Sequence, residues 1–335
     1  MEIDSLPILG VCGVSGSGKT TLIEQSIPGL LQRGLKVAVA KQTPKRVTVD
    51  QAGKDSSRFF AAGADCLLLG EDGVFSRRQY SAGIELNTEL VSLAREHDLV
   101  LVEGYRHTRI PRIWLLGEDE SEPVGLDKTL AVLPRGEGRQ RVMETFLDDY
   151  LTRLWLSPMV LGCVLIGGKS SRMGTPKHLL VKEGRTWLER TTLALAEVCD
   201  QVVVVGEGEL GRCRLPRLLD APGVFGPLAG LLAVMRWHPW ATVLACACDL
   251  PDLSHEALQW LLDQRTPGAW AVIPQVGSYY EPLLALYDFR IRSTMEAMAS
   301  RDERRLGNLV GGAGVRVVSP PQHLRSAWRN VNYPE

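Results

Sequence analysis

Two consecutive α/β domains, each a mainly parallel sheet in a three-layer arrangement with helices, are the fold class this sequence predicts. Three observations point to it. Apolar, strand-like runs alternate with amphipathic helical stretches, the order that builds parallel sheets. The alternation restarts after residue 157, and each series opens with a strand running directly into a glycine-containing loop. At 335 residues the chain also exceeds what one hydrophobic core comfortably organises.

In the first series, the apolar run 7–14 reads as a strand that breaks at glycines, and 20–33 as the helix after the loop. The short β-branched run 37–41 is a second strand. Residues 88–96 carry a helical pattern, and the continuous apolar stretch 99–102 reads as a strand buried on both faces. Residues 113–116 and 129–133 are further short strands. A helix over 142–156 closes the series, so the seam is placed at Ser157–Pro158, giving domains 1–157 and 158–335. The second series has strands at 160–166, 202–205, 243–247, 271–274 and 283–286, and helices at 187–198, 228–237 and 255–264. No Gly/Ser-rich linker separates the halves, so they are expected to be closely coupled. The two glycine loops differ in spacing and are not an internal repeat.

Composition narrows the function. Hydrophobic residues make up 45% and charged residues 23%, as in ordinary globular proteins. A net charge of −1 offers no footprint for nucleic acid or an anionic membrane. No apolar run approaches the roughly 18 residues that cross a bilayer. The opening MEIDSLPILG is acidic where a secretion signal is basic, so a cytoplasmic protein is expected. Of the seven cysteines, Cys12, Cys163, Cys246 and Cys248 sit in apolar segments. There they are expected to pack as reduced thiols rather than hold a metal.

The run Gly13-Val-Ser15-Gly16-Ser17-Gly18-Lys19-Thr20, followed by Thr21, matches G-x-x-x-x-G-K-[ST] between a strand and a helix. Such a loop turns its backbone N–H groups around a phosphate at a helix N-terminus. Lys19 is expected on the β/γ-phosphates and the Thr20 hydroxyl on Mg²⁺. Glu103, directly after the buried strand, is the expected carboxylate partner of that metal. Lys41, Asp50 and Asp55 fall where loops cover the nucleotide, and a solvated surface role is as good a reading for them. Kinases, GTPases and adapters share this element, so it alone does not name a function.

A resemblance narrows the choice. Gly53-Lys54-Asp55-Ser56, Ala62-Gly63-Ala64, the stretch from Leu99 to Glu103-Gly104-Tyr105, and Pro111-Arg112-Ile113 are similar to the MobB family over most of residues 7–135. The resemblance implies a P-loop NTPase domain that binds GTP and assists synthesis of molybdopterin guanine dinucleotide. The family often carries histidines after the second strand, where this chain has Lys41-Gln42-Thr43-Pro44.

The second loop, Leu165-Ile166-Gly167-Gly168-Lys169-Ser170-Ser171-Arg172-Met173-Gly174-Thr175-Pro176-Lys177, joins two glycines that allow close backbone approach to two cations, Arg172 and Lys177. It can hold a triphosphate and offset charge as pyrophosphate leaves. The pattern G-G-x-S-S-R-M-G-x-P-K resembles the signature of nucleotidyltransferases of the MobA (molybdenum cofactor guanylyltransferase) branch. Gly226-Pro227-Leu228-Ala229-Gly230 after Asp220, Cys248-Asp249-Leu250-Pro251 after a strand, and a closing Asn330-Val331-Asn332-Tyr333-Pro334-Glu335 follow in the branch's order. The resemblance covers nearly all of 160–335 and implies a Rossmann-like nucleotidyltransferase domain.

By that resemblance Lys177, Arg172 and Asp249 are the catalytic group, with Asp249 on Mg²⁺. Gly167, Gly168, Ser170, Asp220, Gly226, Pro227, Leu228 and Gly230 bind the nucleotide. Asn330, Asn332, Glu281, Arg304 and Arg305 are candidate substrate contacts; for the arginines a solvated helix face is the commoner explanation. The reaction implied is attack by the terminal phosphate of molybdopterin on the α-phosphate of GTP. Other cofactor-biosynthesis proteins and apo-molybdoenzymes are candidate partners. A CTP-dependent transferase, a non-catalytic GTP-dependent adapter and a sugar-nucleotide pyrophosphorylase are the alternatives.

Overall fold

The computed structural model describes residues 3–41, 53–79, 85–105, 108–118, 120–121, 127–167 and 176–331. The chain divides into two compact units, one comprising Met1–Ile27, Val37–Ala94 and Leu99–Val142, the other Pro28–Lys36, Arg95–Asp98 and Met143–Glu335. No helix among the described residues is long and apolar enough to cross a membrane.

The first series contains β1 (Ile8–Gly13), α1 (Lys19–Gln32), β2 (Val37–Lys41), α2 (Asp55–Ala61), β3 (Cys66–Gly70), β4 (Gly73–Arg77), α3 (Leu86–Ala94), β5 (Leu99–Glu103), β6 (Arg112–Leu115), β7 (Thr129–Leu133) and α4 (Arg139–Leu156). Its sheet has the order β2-β5-β1-β6-β7, with every pairing parallel. Ile8, Leu9 and Val11 of β1 and Leu99 to Val102 of β5 are wholly buried, as strands covered on both faces must be. All the carboxyl ends of a parallel sheet lie on one edge, so the loop after central β1 sits beside the ends of β2, β5 and β6. β3 and β4 form a separate antiparallel hairpin.

The second series contains β8 (Val160–Leu165), β9 (Val181–Lys182), β10 (Arg185–Thr186), α5 (Trp187–Ala196), β11 (Gln201–Val205), β12 (Arg217–Leu218), α6 (Pro227–Trp237), β13 (Thr242–Ala247), α7 (His255–Leu262), β14 (Ala271–Val276), β15 (Tyr279–Tyr280), β16 (Leu284–Tyr287), α8 (Arg292–Ser300) and β17 (Val315–Val318). The main sheet runs β12-β11-β8-β13-β16-β14-β15, with β17 also on β14. β12, β11, β8 and β13 are mutually parallel, and β16 runs against both its neighbours.

Strand alternation creates the three layers. Leu161, Cys163, Val203, Val205, Val243 and Ala245 join one core with Leu228, Leu231 and Met235 of α6 and Met295 and Met298 of α8. Their neighbours Val160, Val164, Val202, Val204, Leu244 and Cys246 join another with Leu188 and Leu195 of α5 and Leu258 and Leu261 of α7. Each such buried aliphatic side chain contributes about 1.5–3 kcal/mol.

Local chemistry sets the helix starts. Thr186 and Glu189 form a reciprocal capping box on α5, contributing about 1 kcal/mol. Ser254 caps α7 by accepting from Ala257 N–H. That cap leaves Asp249, five residues earlier, outside the helix start.

Candidate active site

The first phosphate loop leaves β1 at Gly13 and enters α1 at Lys19. Close approach demands a glycine at its start: a Cβ on Gly13 would lie 2.4 Å from the Leu115 carbonyl oxygen and 2.6 Å from Ser17 Oγ. The Lys19 ammonium donates to the carbonyls of Gly13 at 3.1 Å and Val14 at 2.7 Å, which holds it against the loop. Ser17 is buried, whereas Ser15, Gly16, Gly18, Thr20 and Thr21 are exposed around it.

The Thr20 hydroxyl donates to Glu103 Oε1 at 2.8 Å, and Lys41 Nζ lies 3.1 Å from Glu103 Oε2. Register explains the meeting, because Lys41 and Glu103 are paired residues at the carboxyl ends of parallel β2 and β5. Asp55 begins α2 and pairs at the surface with Arg58 at 3.5 Å. Asp50 lies outside the described residues.

Motif reasoning passes over Arg139, at the start of α4. Its guanidinium donates to Ser17 O at 2.7 Å, Leu116 O at 2.8 Å and Pro134 O at 2.6 Å, so it ties the phosphate loop to the ends of β6 and β7. Burial, with a contribution from nearby Arg135, lowers its pKa from the ordinary arginine value. A cleft of about 400 Å³ opens between this brace and the first turns of α1, walled by Gly16, Thr21, Gln25, Arg135 and Arg139.

In the second unit Lys177 and Asp249 come together, Nζ to Oδ2 at 3.0 Å, with Asp249 two residues past the end of β13. A short 3-10 turn over Lys177–Leu179 presents the lysine. Its buried neighbour His178 anchors that turn through Nε2 to the Glu209 carbonyl at 2.8 Å. The C-terminal segment reaches the same place. Trp328 donates to Leu284 O at 3.1 Å and packs edge-on against Trp260, Arg329 pairs with Asp252 at 2.9 Å, and Val331 N–H donates to Asp249 O at 3.2 Å. Asn330 is the chain neighbour of Val331, whose amide makes that bond.

Gly167 lies two residues past the end of β8, after buried Ile166, and is exposed. Gly226 caps α6 with φ +71°, and Pro227 occupies its first turn. Leu228 is buried beneath that turn, and Gly230 faces Leu165, Val205 and the Asp220 carboxylate. Burial raises the Asp220 pKa from the ordinary carboxylate value, and the negative charge of Glu207 adds to it.

Glu281 is half-buried, with a pKa raised by burial, and Leu283, two residues on, accepts from Ala247 N–H at the end of β13. Arg304 is paired with Asp302 at 2.8 Å and stacked over the Phe225 ring at 4.6 Å, one residue from Gly226. Arg305 is exposed. Gly168, Ser170, Arg172 and Asn332 lie outside the described residues.

Burial pushes the Cys248 thiol up to about 12, and Cys246 is raised by the same cause, so neither is a thiolate near neutral pH. No cluster of three or more His, Cys, Asp or Glu side chains suited to a metal occurs among the described residues. A cavity of about 530 Å³ opens between α5 and the segment from Cys248 to His255, so the loop carrying Asp249 forms part of its wall.

The family model of a MobA-like NTP transferase domain matches residues 162–317, and that of molybdopterin guanine dinucleotide synthesis protein B matches residues 8–133. A protein of Bacillus anthracis, described as a probable molybdenum cofactor guanylyltransferase, is 32% identical over 186 residues, 52% of this chain and 92% of that protein. Among solved structures, molybdopterin-guanine dinucleotide biosynthesis protein A from Archaeoglobus fulgidus is 24% identical over 52% of this chain and 93% of its own, with a TM-score of 0.45. A molybdopterin-guanine biosynthesis protein B is 30% identical over 43% of this chain and 98% of its own, with a TM-score of 0.36.

Proposed function

Since the chain belongs to the molybdenum cofactor guanylyltransferase family, we propose that it transfers GMP from GTP to the terminal phosphate of molybdopterin, and that its MobB-like half binds a second GTP through the P-loop. The observation that carries the reading is the Lys177–Asp249 pair at the carboxyl edge of the second sheet. An ammonium and a carboxylate in contact there can part onto a phosphate and a cation, the two charges that nucleotidyl transfer brings.

The reaction joins an oxygen of the molybdopterin phosphate to the α-phosphorus of GTP and breaks the bond to the β-phosphate oxygen, so pyrophosphate leaves. That attacking phosphate is ionised near neutral pH and requires no general base. Lys177 offsets the charge gathering on the α-phosphate, and Arg172 holds the β- and γ-phosphates. Asp220 and the turn from Gly226 to Gly230 receive the base and ribose. Asn330, next in the chain to Val331 whose amide bonds the Asp249 carbonyl, meets the acceptor. Positioning and electrostatics suffice for such chemistry.

The donors suit magnesium. Asp249 in the second unit, and Thr20 with Glu103 in the first, offer oxygen atoms alone, the preference of a hard divalent cation. When bound, Mg²⁺ supplies positive charge to the phosphates at these points. In the first unit the 400 Å³ cleft beside the P-loop accommodates the nucleoside. In this reading the boundary between the two halves falls at Ser157–Pro158, and the protein works in the cytoplasm, with other cofactor-biosynthesis proteins and apo-molybdoenzymes as partners.

Mass spectrometry of the products of GTP, molybdopterin and Mg²⁺ tests the proposal. Molybdopterin guanine dinucleotide is the expected product. Unchanged molybdopterin, with GTP intact or hydrolysed to GDP, would overturn it.

A further inference from the structure

Lys41 has no place in the P-loop motif, yet its ammonium stands at the one point that the metal ligands of that loop share. It is 3.1 Å from Glu103 Oε2 and 3.5 Å from Thr20 Oγ1, while Thr20 and Glu103 are themselves 2.8 Å apart. The carboxylate is well buried, with 12% of its side chain exposed, whereas the lysine is 54% exposed. The more exposed partner, the lysine, can swing away on its flexible stem. The Glu103 charge, by contrast, stays in place and keeps a cation near it.

A divalent ion bound to Thr20 and Glu103 would occupy the space now taken by the ammonium, and two cations cannot share it. Without a divalent ion the ammonium stays between Glu103 and Thr20, facing any polyphosphate that lies across the loop. We propose that Lys41 is the stand-in for the divalent ion of the P-loop site. It meets the polyphosphate from its seat on Glu103 when no divalent ion is present, and a divalent ion that takes that carboxylate displaces it and takes over the contact. The inference rests on the reading that this loop binds a nucleoside triphosphate. Two consequences follow. The triphosphate binds with only a moderate penalty when the metal is withheld, and the metal alone binds poorly because the ammonium competes for its seat.

The test uses the full-length protein and a fluorescent GTP analogue, titrated with Mg²⁺ and again in EDTA. Binding abolished by Lys19→Ala defines the P-loop component. A charge-assisted contact of about 1.5–3 kcal/mol corresponds to roughly tenfold or more in affinity. Lys41→Gln is therefore expected to weaken metal-free binding about tenfold while changing binding with Mg²⁺ less than about threefold. Lys41→Arg is expected to restore metal-free binding. By electron paramagnetic resonance, Lys41→Gln is expected to raise the affinity for Mn²⁺ in the absence of nucleotide.

An equal loss with and without Mg²⁺ would make Lys41 an ordinary structural or phosphate contact and overturn the proposal. So would unaltered binding in EDTA. A parent protein with no Lys19-dependent binding under either condition would overturn the P-loop reading itself, and this inference with it.

Discussion

Lys177 Nζ lies 3.0 Å from Asp249 Oδ2, across 72 residues of sequence, with both side chains mostly shielded from solvent. The contact joins the end of the signature loop to the end of β13. In the proposed reading, removing the lysine takes away charge that is needed only as the α-phosphate becomes more negative. Lys177→Ala is therefore expected to lower kcat by about 10²–10³ with a smaller effect on KM for GTP. Steady-state pyrophosphate release, with circular dichroism to establish that the variant folds, checks this. A folded variant of near-parental kcat would remove Lys177 from the chemistry.

Arg139 braces the P-loop through three backbone carbonyls, and a truncated side chain leaves all three to find other donors. Arg139→Ala is expected to weaken Lys19-dependent GTP binding by about 1–3 kcal/mol, or roughly 5- to 150-fold. Its fluorescence titration is the measurement. Because the brace acts on loop geometry, Arg139→Lys, which cannot span three acceptors with a planar fork, is expected to recover little of the loss.

Asp220 carries a pKa raised by burial and then by the charge of Glu207. An acid whose pKa is higher in the folded state stabilises the fold below its unfolded pKa, and that contribution is lost as pH rises through the folded value. Ionised Asp220 is thus a cost to folding, which the proposed reading assigns to nucleotide binding. KM for GTP is expected to rise on acidification, starting at a higher pH than an ordinary aspartate would give. Asp220→Asn is expected to remove that dependence and raise KM at neutral pH without lowering the melting temperature. A parental pH profile in the variant would exclude Asp220 as a nucleotide contact.

Gly206 has φ +123°, and a Cβ there would meet the Ile166 carbonyl oxygen at 2.0 Å. The strand ends of β8 and β11 close on each other at this residue, beside Gly167. Gly206→Ala forces the two apart and is expected to cost about 2–4 kcal/mol in a denaturant titration. It is also expected to raise KM for GTP, because the displaced residues lead into the signature loop.

Much of this arrangement was legible in the sequence, and the exceptions have physical causes. β2 and β7 occupy their expected residues, 37–41 and 129–133, because a short apolar run between turn signals leaves little choice. The meeting of Thr20 with Glu103 follows from placing a carboxylate at the end of a buried strand. The β3–β4 hairpin was not anticipated: Leu67, Leu69 and Val74 are exposed on it, so it lacks the inside–outside contrast that betrays a strand. α2 and α8 escape as well: α2 buries no residue, and α8 only Met295 and Met298. Arg139 and His178 escaped because their partners are backbone carbonyls far along the chain, which no side-chain pattern marks. Beyond the end of α8, Arg301 pairs with Glu303 and Arg304 with Asp302 at the surface.

The most direct test of guanylyl transfer is molybdopterin-dependent pyrophosphate release, compared for GTP, CTP and ATP in the parent and in Lys19→Ala. Release with GTP alone, weakened but not abolished by Lys19→Ala, is the expected result. Release with CTP in place of GTP would leave the chemistry and contradict the base. No molybdopterin-dependent release with any of the three, while GTP still binds through Lys19, would contradict the transferase reading and leave a GTP-dependent adapter.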